Sequence, residues 1–218
     1  AGSPSGISGN YSIGKQTYQE TDYSTMFTAT KNNLFGKLGG SLMVGGNLMS
    51  TDNSAISAGT GGLVVPDLFT LGNSLGTPSF SQAYSQKRIN SAYGSLELNY
   101  DDYLFITGTF RNDWSSALSP ANRSYSYPSV SASYVFTDMI EKHGGHLPSW
   151  ISYGKLRVSY ASVGNDLDPY QLYNTYTIGN DPNGNTTAGR NTVLYNPNVK
   201  SELIKSTEVG ANMRFFES

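Results

Sequence analysis

The chain has 218 residues, a formal net charge of −2, no cysteine, and 14% charged against 12% aromatic residues. The lack of cysteine excludes thiol chemistry, disulfides and thiolate-held zinc, and the near-neutral charge removes the basic footprint of nucleic-acid binding. Glycine (24), tyrosine (16) and phenylalanine (9) are abundant although only 37% of residues are hydrophobic, which fits strands whose two faces meet different surroundings better than a soluble globule or a disordered tail.

In chain order, residues 22–30 predict a strand and 31–35 a short link. Leu38, Leu42, Val44 and Leu48 share a parity with Gly40 and Gly46, a second strand, and a long connection follows at 50–83. Next, Ala92, Gly94, Leu96, Leu98 and Tyr100 alternate with Tyr93, Ser95, Glu97 and Asn99. Asp101 and Asp102 form a turn, and the chain returns with Leu104, Ile106, Gly108 and Phe110 against Thr107, Thr109, Arg111 and Asp113. Such period-two alternation predicts an amphipathic hairpin.

A long link at 114–124 leads to Pro128, Val130, Ala132, Tyr134 and Phe136, alternating with Ser129, Ser131, Ser133 and Val135. After a middling link at 137–150, Leu156, Val158 and Tyr160 alternate with Lys155, Arg157, Ser159 and Ala161. A further long link at 164–200 hints at an extra hairpin near 170–178. Val209, Ala211, Met213 and Phe215 then alternate with Glu208, Gly210, Asn212 and Arg214. No stretch shows a convincing period of 3.6, so the chain is predicted to be all-β, with about seven antiparallel strands.

Two features turn alternation into a membrane prediction. The links alternate short and long, as in an outer-membrane barrel with short periplasmic turns and longer extracellular loops. Charge also follows parity: Glu97, Arg111, Asp113, Lys155, Arg157, Glu208 and Arg214 all fall on the polar parity and are expected to face the lumen. The apolar parity carries no charge through the crossing stretches; Arg88 and Lys205 lie near long-loop ends. Each crossing stretch has about 9–11 residues, enough for a tilted strand to span hydrocarbon. Tyr100, Tyr103, Tyr125, Tyr127, Tyr134 and Tyr153 lie near strand ends, where aromatic girdles are expected. No apolar run approaches the length of a spanning helix. A passive porin-like barrel or a soluble secreted carbohydrate-binding β-sandwich would show the same alternation.

Other motifs carry little chemistry. His143 and His146 have no zinc-like spacing, and the segment from Asp181 to Asn185 resembles a calcium loop only loosely, without the bidentate glutamate. No metal or cofactor is expected. Arg111 and Asp113 are expected to pair with charges on neighbouring strands, Glu97 and Arg157 among them. Trp114, Asp166 and Tyr170 are candidates for extracellular loops. No catalytic arrangement is recognisable, and the paired carboxylates Asp101 and Asp102 sit in a tight turn.

Several stretches, in order, resemble the SusC/RagA-type TonB-dependent transporters of Bacteroidetes outer membranes. They are KRINSAYG from Lys87 with LNYDDYL from Leu98, RNDWSS from Arg111, YPSVSAS from Tyr127, GKLRVSY from Gly154 with Gly164-Asn165-Asp166, and Asn196-Pro197-Asn198 before Ser201-Glu202. The resemblance covers residues 84–216 well and the first 80 loosely. It implies a barrel of about 22 strands with a plugged lumen, located in the cell outer membrane. It also implies energy from the TonB complex, a SusD-like lipoprotein partner, and a glycan or peptide substrate. Such transporters are several times longer. The whole of 1–218 is therefore expected to be part of one transmembrane barrel domain, an internal piece without plug, TonB box or final strand, and Ala1 to be a processed or cut end.

Overall fold

The computed structural model describes residues 9–190 and 192–216. Seven strands form one sheet in the order β1-β2-β3-β4-β5-β6-β9, and β7 with β8 forms a separate hairpin. The strands are β1 (Ser12–Phe35), β2 (Leu38–Gly59), β3 (Ser79–Tyr100), β4 (Leu104–Ser115), β5 (Ser124–Val135), β6 (Ile151–Asn165), β7 (Tyr176–Asn180), β8 (Thr186–Arg190) and β9 (Glu202–Phe215). The predicted antiparallel all-β sheet is present, and the hinted hairpin begins at Tyr176.

The structure corrects several boundaries. The segment at 31–35 is strand, and Gly36, at φ 61°, makes the turn. The supposed loop 50–83 shrinks to 60–78, because β2 runs to Gly59 and β3 starts at Ser79. Thr, Ser and Asn in those strands gave no apolar alternation to read. One helix, α1 (Phe136–Lys142), also escaped the search for a 3.6-residue period. Seven residues hold only two turns of any pattern.

The chain divides into two compact units, and β1, β2 and β3 run through both. One comprises residues up to Thr21 with Ser50–Lys87. Its connection, residues 60–78, is built around Asn73, whose side chain accepts from Val65 N at 2.9 Å and donates to Val65 O and Leu68 O, both at 2.8 Å. Buried Leu63 and Asn73 lie in this connection.

The other unit holds Asp22–Met49 and everything from Arg88 onward. Its register carries the apolar parity unbroken from strand to strand. Leu96 faces Gly108, which faces Val130, which faces Tyr160; Leu98 faces Ile106, Ala132 and Val158 in turn, and Val158 faces Val209. These side chains have no protein over them, Val209 being 83% exposed and Phe110 54%. In water such a face would be a large aggregation-prone patch; in lipid it is the expected outer surface. From Leu104 to Trp114 the apolar band climbs ten residues, which at about 3.3 Å each and a tilt near 40° spans about 25 Å, the usual height of such a band.

The short-turn end is stapled. Asp101 and Asp102 both have positive φ, 47° and 57°, the backbone of a type I′ turn that aspartate tolerates better than most residues. Asp101 N donates to Lys37 O at 2.9 Å, and its carboxylate meets Lys37 Nζ at 2.5 Å and Lys142 Nζ at 3.4 Å. The β1–β2, β3–β4 and β5–β6 connections are thereby tied together. Thr137, 2% exposed, bonds the backbone of Gly154, and the Phe136 ring lies on that glycine.

Candidate functional site

The polar face has two concentrations of functional side chains. The first lies toward the long-loop end, where the register brings Ser91, Asp113 and Tyr125 into one row and Tyr93, Arg111 and Tyr127 into the next. Arg111 Nε donates to Asp113 Oδ1 at 2.8 Å and Arg111 Nη2 to Ser91 Oγ at 2.9 Å. The guanidinium lies 5.7 Å from the centre of the Tyr93 ring. Asp113, only 5% exposed, also accepts the Tyr127 hydroxyl at 2.5 Å. Arg111 and Asp113 therefore pair with each other within β4, which corrects the expectation that they pair with Glu97 and Arg157 on other strands. A side chain two residues along on the same face is nearer than Glu97, which faces Thr107 four residues down the neighbouring strand, or Arg157, two strands away.

Aromatic rings fit against glycine in this cluster. Tyr125 and Tyr127 stack at 6.1 Å with 26° between their planes. A Cβ on Gly164 would stand 2.8 Å from the Tyr125 ring, and one on Gly45 2.7 Å from the Tyr93 ring. These bare backbone positions let the rings lie flat on the wall. Above them, Ser115 donates its hydroxyl to the Asp166 carboxylate, and Ser116 N donates to Arg88 O at 2.9 Å. Asn122 Nδ2 donates to Asn198 O at 3.0 Å, joining the β4–β5 and β6–β9 connections.

The second concentration lies on β6 and β9. Arg157 sits opposite Gly210, Lys155 opposite Asn212, Ser159 opposite Glu208 and Tyr153 opposite Arg214. Arg157 lies along bare backbone, since a Cβ on Gly210 would be 2.6 Å from its Nε. The Arg214 guanidinium stands 5.4 Å over the Tyr153 ring. Ser131, Ser133, Lys155, Arg157, Ser159 and Glu208 line a concavity of about 300 Å³.

The register thus keeps Glu97, Arg111, Asp113, Lys155, Arg157, Glu208 and Arg214 on the polar parity. Trp114 is not a loop residue: it lies inside β4, on the parity of Phe110, and is 41% exposed. Asp166 and exposed Tyr170 do lie in the connection after β6. The tyrosine set divides. Tyr100 and Tyr134 share the apolar parity, with Tyr103 edge-on to both at 5.6 Å and 6.2 Å. Tyr125, Tyr127 and Tyr153 sit on the polar parity instead. Parity was the available signal, because Tyr93, Tyr125 and Tyr127 share the odd numbering of Arg111 and Asp113.

The minor motifs are structural. His143 follows α1 with Nδ1 at 2.8 Å from Met139 O and its ring 6.0 Å from that of Tyr103. Asp181 closes the β7–β8 turn, accepting from Asn183 N and Asn185 N, each at 2.9 Å. Bonds from Asn185, its side-chain amide first, hold the Asp181 carboxyl below the ordinary value. Among the described residues no cluster of three or more potential metal-ligating side chains is assembled. The arrangement presents flat rings, hydroxyls and fixed charges on the polar face.

Comparison with known proteins agrees with this architecture. Residues 2–218 match the family model described as TonB dependent receptor-like, beta-barrel. The chain is 31% identical over 142 residues, 61% of its length, to TonB-dependent receptor P26 of Formosa agariphila, of which the match covers 13%. In fold it is similar to a solved structure of the RagAB peptide transporter, with TM-score 0.76 and 19% identity over 94% of this chain and 23% of that one. The RagAB peptide importer in its closed-closed state gives 0.71 and 20% over the same shares. The chain therefore spans less than a quarter of the length of these relatives. With the family match running nearly end to end, the chain belongs to the TonB-dependent receptor-like β-barrels of the outer membrane, which are receptors rather than enzymes.

Proposed function

We propose that this segment is wall in a TonB-dependent importer that carries oligosaccharides or peptides inward across the outer membrane. In this reading residues 1–218 are part of one barrel domain whose remaining strands and plug lie elsewhere in the protein. The polar parity lines the lumen, and the connections 60–78 and 166–201 face the outside and a SusD-like lipoprotein. TonB acts on the plug, and the wall supplies the surface along which cargo moves.

One observation carries this reading: an apolar face, free of charge through the crossing stretches, backs a polar face on which Tyr93, Tyr125, Tyr127 and the Arg111–Asp113 pair are held flat and pre-paired. Planar rings and satisfied polar groups suit weak, repeated contact with a polar solute. The similar RagAB structures are described as a peptide transporter and importer, which supports peptide as one cargo class.

The test is uptake by cells carrying the full-length receptor, supplied with labelled oligosaccharides and peptides, with and without a protonophore and with and without a co-expressed SusD-like lipoprotein. The expected result is uptake of one class that stops when the proton gradient is collapsed and weakens without the lipoprotein. Uptake unaffected by the protonophore would make the barrel a passive pore.

A further inference from the structure

We infer that Lys155 and Arg157 form a carboxylate-binding site on the lumenal side of β6 and β9. This rests on the reading, proposed above, that the polar face lines the lumen. Four observations carry it. First, the two cations share a parity two residues apart on β6 and both line the 300 Å³ concavity. Second, neither has a carboxylate within ion-pair distance among the described residues, whereas Arg111 is matched by Asp113. Third, Arg157, although exposed, lays its Nε and stem against the bare backbone of Gly210, a position that a side chain at 210 would deny it. Fourth, hydroxyls of Ser131, Ser133 and Ser159 line the same hollow and can donate to an anion that spans the two cations.

Arg214, seated over Tyr153, extends the positive field along β9. Glu208, opposite Ser159 in the lining of the same hollow, opposes it and weakens the hold on a bound carboxylate. A guanidinium and an ammonium set side by side favour a carboxylate over a neutral amide, because charge-assisted hydrogen bonds are roughly twice as strong as neutral ones. The carboxylate comes either from acidic cargo in transit or from the plug packed against the wall. The same chemistry serves both.

The experiment uses the full-length receptor in detergent and compares wild type, Lys155→Gln/Arg157→Gln, Lys155→Arg and Glu208→Gln. Hexa-aspartate and hexa-asparagine are titrated at low and high salt, and leak conductance is recorded in planar bilayers. If cargo supplies the carboxylate, hexa-aspartate binds wild type at least about tenfold more tightly than the double variant, a difference of about 1.4 kcal/mol. High salt then erases the difference, Lys155→Arg retains binding, Glu208→Gln tightens it, and hexa-asparagine does not discriminate. If the plug supplies it, hexa-aspartate does not discriminate, but the double variant leaks and Lys155→Arg does not. Unchanged hexa-aspartate affinity together with unchanged leak overturns the site. Failure of import itself is read separately, by the protonophore assay on wild type.

Discussion

At Gly154 an added Cβ would overlap the Phe136 ring, whereas at Gly108 it would meet nothing within 4 Å. Gly154→Ala is therefore expected to lower stability by about 1–3 kcal/mol, the usual cost of forcing atoms into a filled site. Gly108→Ala should be neutral or stabilising by about 0.5–1 kcal/mol, since it removes backbone freedom from a strand with space to spare. Urea unfolding of the full receptor in lipid vesicles measures both. A second residue-scale prediction concerns pH. The hydrogen bond from Lys37 holds the Asp101 carboxyl below its ordinary value of 3.8, and the same bond raises Lys37 above 10.5. A lowered carboxyl contributes stability that is complete above its unfolded value and disappears as pH falls through the folded one. A raised lysine contributes below its unfolded value and loses that contribution as pH rises through the folded one. The Lys37–Asp101 staple is thus strongest between about pH 4 and 10. Hydrogen exchange at Asp101 N and Tyr103 N should accelerate below that window once intrinsic rates are corrected. Lys37→Ala should remove most of this dependence, and an unchanged pH profile in that variant would refute the assignment.

At the scale of elements, the two faces of β5 make opposite demands on adjacent residues. Val130, facing Gly108 and Tyr160, lies near mid-height of the apolar band, and Ser129 faces Thr109 and Ala161 on the other side. Val130→Lys is expected to cost about 2–4 kcal/mol, the price of a lysine at the bilayer midplane. Ser129→Lys should cost about 1 kcal/mol or less, chiefly its hydroxyl bond with Thr109. Folding of the full receptor into vesicles across a urea series distinguishes them; equal effects would mean that the face assignment is wrong. Strands such as β4 and β5 were legible because lipid and water impose a strict period of two on the residues between them. The ends of β1, β2 and β3 were not. Residues 12–21, 50–59 and 79–87 include Gln16, Glu20, Asp52 and Asn53, and polar side chains fall on both parities there. The Arg111 cluster was half legible: parity placed its residues on one face, but the flat seats on Gly45 and Gly164 depend on strands distant in sequence. A glycine on its own does not announce which ring will cover it.

At the scale of the molecule, β1 and β9 are the two edge strands of the seven-stranded sheet among the described residues. Within hydrocarbon an edge leaves a row of backbone N–H and C=O groups unpaired, each costing several kcal/mol with no water to satisfy it. β9 is such an edge, and its fourteen residues include Val209, Met213 and Phe215 on the apolar parity. Side-chain burial cannot compensate, since the apolar face is meant for lipid and the few buried hydrophobic residues among the described ones are Leu63, Ala117, Leu118 and Leu172 in the connections and Tyr125 and Val135 at the two ends of β5. The 218-residue chain expressed alone is therefore expected not to form a monomeric barrel in detergent or lipid. It should instead pair edge to edge with further copies or aggregate. In electrophoresis without boiling, the isolated chain should lack the compact, heat-modifiable band that a closed barrel gives, and cross-linking at Val209 should trap β9 against another copy. Joined to the strands that complete the wall in the full receptor, the same residues should give the heat-modifiable band, and the β9 cross-link between copies should disappear. A stable, heat-modifiable monomer from the isolated chain would show that seven strands can satisfy their own edges, and would overturn the reading of this sheet as part of a wider wall.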